Sequence, residues 1–338
     1  MSYDTSYMKD ECANTIHFVP FQLGLVLHSS AAIASFYATF YFLEKYIKNS
    51  PIHNNFKFLL LLYFFNSYAR GVLIVGSAFS VLYRVYIFNG TEQNLFMNSL
   101  TFRFFHLFFA LSLVMDATIK ALLVFERTVA TGKVEKYETQ KSRNSCWTYL
   151  IIILVFPICA IYVTYRTADF SQPSCFAFFA PKNTEHWINI LFIAAFLFSA
   201  ISFIILRLLI LLNTKKLKVY NFQLTARYQI RENLTCTHLV SSVLLTSLLV
   251  TVFYGLSMSI LRMSQFQVFQ ENRMLFNMVK LSCYPFTFSD LFIPIYSGSQ
   301  MNRTKTAKVE FLNNSVNTCR SRQHATEIYE KELRKQWA

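Results

Sequence analysis

Seven stretches of this chain are long and apolar enough to cross a membrane, and the segments between them turn polar. A spanning helix needs roughly 20 mostly apolar residues. The stretches are Phe21–Phe42, Lys57–Tyr83, Phe102–Phe125, Cys146–Tyr165, Ile188–Leu212, Leu234–Ile260 and Met274–Tyr296. Runs such as Trp147–Val163 and Ile188–Leu212 are continuously apolar, without the two-residue alternation of a barrel strand. In lipid that leaves helices, whose backbone bonds are all internal. The prediction is an all-α integral membrane protein, a seven-transmembrane helix bundle. Connections are short and no internal repeat is evident, so the spans form one bundle. The organisation predicted is an arm over 1–20, the bundle over 21–296 and a tail over 297–338. Met1–Val19 is polar, with Asp4, Lys9, Asp10 and Glu11, and the apolar run after it exceeds a signal-peptide core.

Composition agrees with the pattern. Of 338 residues, 54% are apolar and 15% charged, and mean hydropathy is +0.34. Soluble domains carry about 25% charge and 45–50% apolar residues. The formal charge of +14 raises nucleic acid as a partner, but the basic residues lie in the connecting segments. Those on one side of the predicted membrane hold 21 Lys and Arg, against 5 on the other. The positive-inside rule places the N-terminus outside and the tail in the cytoplasm. Basic loops facing anionic lipid account for the charge, so the bilayer and not nucleic acid is the expected partner.

This orientation sorts other residues. Asn89, in Asn89-Gly90-Thr91, is the one Asn-x-Ser/Thr site of four that falls outside, and is a candidate for N-glycosylation. Of seven cysteines, only Cys12 and Cys175 face the oxidising side. One disulfide between them, or two thiols that are free or separately paired, both fit.

No metalloprotease, Cys-x-x-Cys, Gly-x-Ser-x-Gly or phosphate-loop motif is present, and no two of the seven histidines have metal-site spacing on one helix face. The expectation is no enzyme, no cofactor and no metal.

Ionisable residues inside spans are costly and so are candidates for function. Arg70, Asp116, Lys120 and Asp290 fall near mid-depth by a rise of about 1.5 Å per residue. Pairings Arg70–Asp116 and Lys120–Asp290 across the second, third and seventh spans are predicted, as a polar network with two bistable arrangements or as a static structural pair. Lys280, Arg103 and His106 fall nearer the outer end. Together they predict a ligand pocket suited to an acidic small molecule.

The third span ends Phe125-Glu126-Arg127-Thr128-Val129-Ala130-Thr131. A Glu-Arg pair there resembles the acidic-Arg-aromatic switch of G-protein-coupled receptors. Three further segments strengthen the likeness: His53-Asn54-Asn55-Phe56-Lys57 opening the second span, Glu135-Lys136-Tyr137-Glu138 in the second inner loop, and Leu224–Asn233 leading into the sixth span. In combination over about residues 20–300 they resemble the nematode serpentine chemoreceptors of the alpha superfamily. The spacing to Lys-x-Tyr-Glu is most similar to class epsilon, with classes alpha, alpha-beta and beta as rivals.

The resemblance implies a chemosensory receptor in sensory-neuron plasma membranes, at the cilium, that binds a small-molecule odorant or pheromone and activates a heterotrimeric G protein. Glu126 and Arg127 are then the switch. Movement of the sixth span would shift Arg227, Tyr228 and Arg231 against the partner. Two departures stand out: no cysteine opens the third span, and the seventh has Asp290 and Pro294-Ile295-Tyr296 in place of an uninterrupted Asn-Pro-x-x-Tyr. A seven-span ligand-gated channel and a small-molecule transporter are the competing classes. The charge count opposes the inside N-terminus of insect odorant channels, and the lack of repeat symmetry opposes a transporter. A homo- or hetero-dimer is compatible with the sequence. The tail predicts a short interfacial helix followed by disorder.

Overall fold

The computed structural model describes residues 12–48, 50, 52–87, 97–132, 142–171, 174, 176–181, 183–219, 224–264, 269 and 272–303. These are almost wholly helical. A short helix, α1 (12–17), leads into α2 (Val19–Phe42), which Pro20 can open because a first-turn N–H needs no partner. A single π-helical turn, Leu43–Ile47, extends α2, with Lys48 N–H donating to the Leu43 carbonyl at 3.0 Å. Then come α3 (Asn54–Tyr86), α4 (Ser99–Gly132), α5 (Ser142–Tyr165), α6 (Glu185–Val219), α7 (Leu224–Ser264), α8 (Arg273–Ser282) and α9 (286–303).

Six helices among the described residues are long and apolar enough to cross a membrane unaided: the α2 rod through Ile47, then α3, α4, α5, α6 and α7. The seventh span differs from the expected continuous helix. It is split into α8 and α9 at 283–285. Pro285 supplies the cause, because it cannot donate a helical hydrogen bond and crowds the preceding turn. Asn272 caps α8 by accepting from Leu275 N–H at 3.1 Å. The third inner loop, read as helix-compatible, is helical from Leu224 and continuous with the sixth span, giving α7 41 residues.

The third span, α4, is the hub, packing against α3, α5, α6 and α7; α2 flanks α3, and α6 runs along α7. Large apolar residues that would be a liability in water cover the outside, among them Phe65, Phe79, Ile151, Phe156, Ile204 and Leu249. In a bilayer these face lipid. The buried apolar residues divide into two clusters. One joins Phe42, Phe56, Tyr63, Phe64, Leu123 and Val243, and the other joins Phe21, Leu25, Ile74, Phe109, Phe176 and Phe178. Between them runs a polar waist. On α3 it is Asn66, Ser67 and Arg70; on α4, Ser112 and Asp116; on α7, Ser247; on α9, Ser289 and Asp290.

Gly71 on α3 lies directly against the Phe36 ring of α2. A Cβ there would lie 2.5 Å from Phe36 Cε1. Phe36 cannot yield freely, because its ring stacks on Tyr68 at 4.8 Å and the Tyr68 hydroxyl donates to the Phe36 carbonyl at 2.5 Å. Gly71→Ala should therefore destabilise the bundle by about 1–3 kcal/mol, the usual cost of overpacking. Thermal unfolding of purified protein in detergent measures it, and an unchanged midpoint would mean the contact relaxes without cost.

Candidate functional site

Three places gather the residues that composition alone marks as expensive to bury. The first is the waist. Arg70 places its guanidinium fork on the Asp290 carboxylate, with Nε donating to Oδ2 at 2.8 Å and Nη2 to Oδ1 at 2.5 Å. Its Nη2 also lies 3.7 Å from Asp116 Oδ1, an oxygen with no hydrogen-bond partner of its own. Lys120 contacts Asp116 one turn away and donates to Ser247 Oγ on α7 at 2.5 Å. Asn66 donates to the Ser112 carbonyl at 2.9 Å.

The four charges thus meet, as the depths suggested, but the predicted Lys120–Asp290 pairing is not what forms. Asp290 goes to Arg70 and Lys120 goes to Asp116. The physical reason is geometry. Arg matches a carboxylate with two parallel bonds, while residues four apart on one helix are already neighbours. Removing Asp290 would leave the Arg70 guanidinium largely uncompensated. Asp290→Ala should cost about 3–5 kcal/mol, and Arg70→Met with Asp290→Leu should recover most of it. Melting temperatures of the three proteins check this; equal losses in single and double variants would mean the pair is not coupled.

The second place is the end of the bundle where α4 finishes. Glu126 and Arg127 are each 1% exposed. Arg127 Nε donates to Glu126 Oε2 at 2.6 Å, while Nη2 lies 2.5 Å from the same oxygen at an angle too bent for a hydrogen bond. Arg127 Nη1 donates across to Asn233 Oδ1 on α7 at 3.2 Å, and its guanidinium lies 4.6 Å from the centre of the Phe56 ring on α3. The Asn233 amide donates to the Ala130 carbonyl at 3.1 Å. Nearby, His53 N–H donates to Glu232 Oε1 at 3.1 Å, fixing the start of α3 to α7. The His53–Lys57, Glu126–Thr131 and Glu232-Asn233 segments, far apart in sequence, therefore converge on one cluster. From α6, Asn213 donates to Thr131 Oγ1 at 3.0 Å and Lys216 to the Thr131 carbonyl at 2.7 Å. Arg231 is exposed on α7; Arg227 and Tyr228 belong to the same helix, with side chains outside the described residues.

The third place is the opposite end. A small, mostly apolar cavity, with room for about one water molecule, lies where α2, α3 and α4 meet the α8–α9 break. Its walls include Leu25, Ile74, Ala78 and Phe109, and its polar groups are His28, Thr287 and Tyr284. His28 Nδ1 and Thr287 Oγ1 are 3.2 Å apart. Arg103, His106 and Lys280, predicted to form the pocket, do not line it. Arg103 is exposed, 5.2 Å from the Phe170 ring centre. Lys280 has its ammonium 4.2 Å from the Phe179 ring centre. His106 donates from Nδ1 to the Ala177 carbonyl at 2.9 Å and accepts at Nε2 from the Tyr165 hydroxyl at 2.9 Å, a tautomer dictated by the carbonyl being only an acceptor. Depth along a helix gives height without azimuth, so residues at one level need not line one cavity. His28, the one imidazole of the first span, is the sequence signal that marks this cavity.

Cys12 is buried and disulfide-bonded. Cys175 and Asn89 lie outside the described residues, as do Glu135–Glu138 and the tail beyond 303.

The model of the family described as "Serpentine type 7TM GPCR chemoreceptor Sra" matches residues 5–337. The chain belongs to this family. It is thus a seven-helix membrane receptor of the G-protein-coupled chemosensory kind. Serpentine receptor class beta-16 of Caenorhabditis elegans is 26% identical over 327 residues, covering 97% of this chain and 95% of that one. Serpentine receptor class beta-3 of the same organism is 26% identical over 238 residues, covering 69% and 67%. Both relatives of this Sra-family chain carry class beta names; class epsilon is not among them.

Proposed function

We propose that this receptor signals by releasing Arg127 from Asn233, so that α7 can move from α4 and admit a heterotrimeric G protein at the cytoplasmic end. The observation that carries this is the burial of Arg127 between a carboxylate on its own helix and an amide on another span. A guanidinium so placed is held by polar contacts and not by packing alone, so loss of one cross-span bond shifts the balance between arrangements. Arg227, Tyr228 and Arg231, on the first turns of α7, are the residues this movement carries toward the partner. The bistable waist of Arg70, Asp116, Lys120 and Asp290 links α3, α4, α7 and α9 and supplies the coupling path.

The orientation has the N-terminal arm (1–20) outside, the bundle over 21–296, and the tail (297–338) in the cytoplasm of a plasma membrane. The asymmetry of Lys and Arg supports it, and so does a disulfide at Cys12, a bond of oxidising compartments. Cys175 is its proposed partner, since the neighbouring Phe176 packs in the same apolar cluster as Cys12. The class beta names of both relatives favour class beta over epsilon. The family favours a receptor over a channel, a transporter or an enzyme.

Asn233→Ala should raise ligand-independent GTP turnover of a co-expressed heterotrimer about tenfold, the worth of one charge-assisted hydrogen bond. Arg127→Ala should abolish activation. Unchanged basal turnover in the first, with full activation in the second, would overturn the switch. For topology, an N-terminal epitope should be stained in intact cells and a C-terminal one only after permeabilisation, with Asn89→Gln migrating faster on gels. The reverse staining would invert the bundle and every role tied to it.

A further inference from the structure

The segment Phe176-Ala177-Phe178-Phe179 has no regular secondary structure, yet it is 0–8% exposed inside the helix bundle. Connecting segments normally stay at the surface, because buried backbone polar groups need partners. Here side chains provide them: His106 donates to the Ala177 carbonyl and Tyr284 to the Phe178 carbonyl, each at 2.9 Å. Among the described residues, the connecting segment's own bonds to this stretch are Phe179 N–H to the Phe176 carbonyl at 3.2 Å and the Ser174 hydroxyl to the same carbonyl at 2.9 Å.

Two rings of this segment, Phe176 and Phe178, form part of the cavity's wall. Phe178 stacks on Phe109 with centroids 4.0 Å apart, and Phe176 meets Phe21 edge-on at 6.1 Å and Phe178 at 4.9 Å. Both line the cavity that holds His28 and Thr287. The space left is about one water molecule, too little for an odorant-sized compound. The cavity and the segment that stops it are therefore one unit.

We propose that Phe176 and Phe178 occupy the ligand's own place, and that the ligand displacing them is an uncharged, largely apolar small molecule carrying one hydrogen-bonding group for His28 and Thr287. This rests on the chemoreceptor reading above and narrows its ligand class. The chemistry follows from the walls. No charged side chain lines the cavity among the described residues. An acid entering it would lose its hydration with no compensating cation, because the Lys280 ammonium lies over the Phe179 ring and Lys280 is not among the cavity's walls. A benzyl group already fits, so an aromatic or alkyl group of similar size replaces its contacts without loss. A neutral carbonyl or hydroxyl meets the imidazole and the hydroxyl. The acidic ligand expected from Arg103, His106 and Lys280 is thereby replaced by a neutral one.

The test uses full-length receptor in nanodiscs carrying Cys283→Ser and Thr287→Cys, with and without Phe178→Ala. The probes are methyl methanethiosulfonate, small and neutral, and its anionic sulfonatoethyl analogue. Modification of the peptide containing residue 287 is followed by mass spectrometry. Phe178→Ala should speed reaction with the neutral reagent about tenfold, the worth of one stacked ring, while the anionic reagent stays slow in both proteins. An unchanged neutral rate, or equal rates for both reagents, would overturn the proposal. Should Phe178→Ala fail to reach the membrane, Phe178→Leu takes its place with the same expectations at smaller size. Labelling needs no G protein, so GTP turnover measured on Asn233→Ala reports separately on the signalling reading: either result can fail while the other stands.

Discussion

Arg70 and Asp290 set the terms for the rest of the bundle. Two opposite charges buried at mid-depth, 2.5 Å apart on helices that are distant in sequence, must be matched or the span cannot stay in lipid. Matching fixes the height of α9 against α3. Asp116 and Lys120 then complete a neutral quartet, and Ser247 brings in α7. Apolar packing alone gives helices little reason to prefer one register over another in lipid, whose tails are as apolar as leucine. The waist supplies that reason, and it lies between the two apolar clusters of the interior.

The two clusters serve different ends. On one side, Arg127 is gripped by Glu126 and Asn233 over Phe56, so α3, α4 and α7 share a single polar knot. On the other, aromatic rings from a connecting segment are stacked into the bundle and held by His106 and Tyr284. Neither end touches the other. Both press on α4, whose Phe109 meets the plug and whose Glu126 and Arg127 form the knot, with Asp116 between them. The break at Pro285 gives the seventh span two halves: α8 brings Leu281 to the cavity, while α9 brings Phe286 and Thr287 to it and carries Asp290.

Much of this was legible in the sequence, for a definite reason. Lipid admits few backbone solutions, so seven long apolar runs leave little choice of fold. The four intramembrane charges announced the waist, because burying them singly is prohibitive. Arg70 does reach Asp116, as the depths suggested, but that Asp290 takes the Arg70 fork in place of Lys120 was not legible, since the rotation of each helix about its axis is not written in a depth count. The same gap hides which residues share a cavity: Arg103 shares a level with His106 but is exposed, while His28 and Thr287, ordinary in isolation, become neighbours only through the packing of α2 on the seventh span. The convergence of His53, Arg127 and Asn233 needed three dimensions as well, although each stood in a segment that had drawn notice.

The neutrality of the waist has an electrical meaning. A cell membrane maintains a field in which moving one elementary charge across the full thickness is worth about 2.3 kcal/mol per 100 mV. One guanidinium and one ammonium beside two carboxylates, shifting together as α3, α4 and α9 adjust, carry no net charge through that field. Rearrangement of the quartet as a unit therefore does almost no electrical work. A bundle built this way rearranges its waist with its equilibrium left almost undisturbed by membrane voltage.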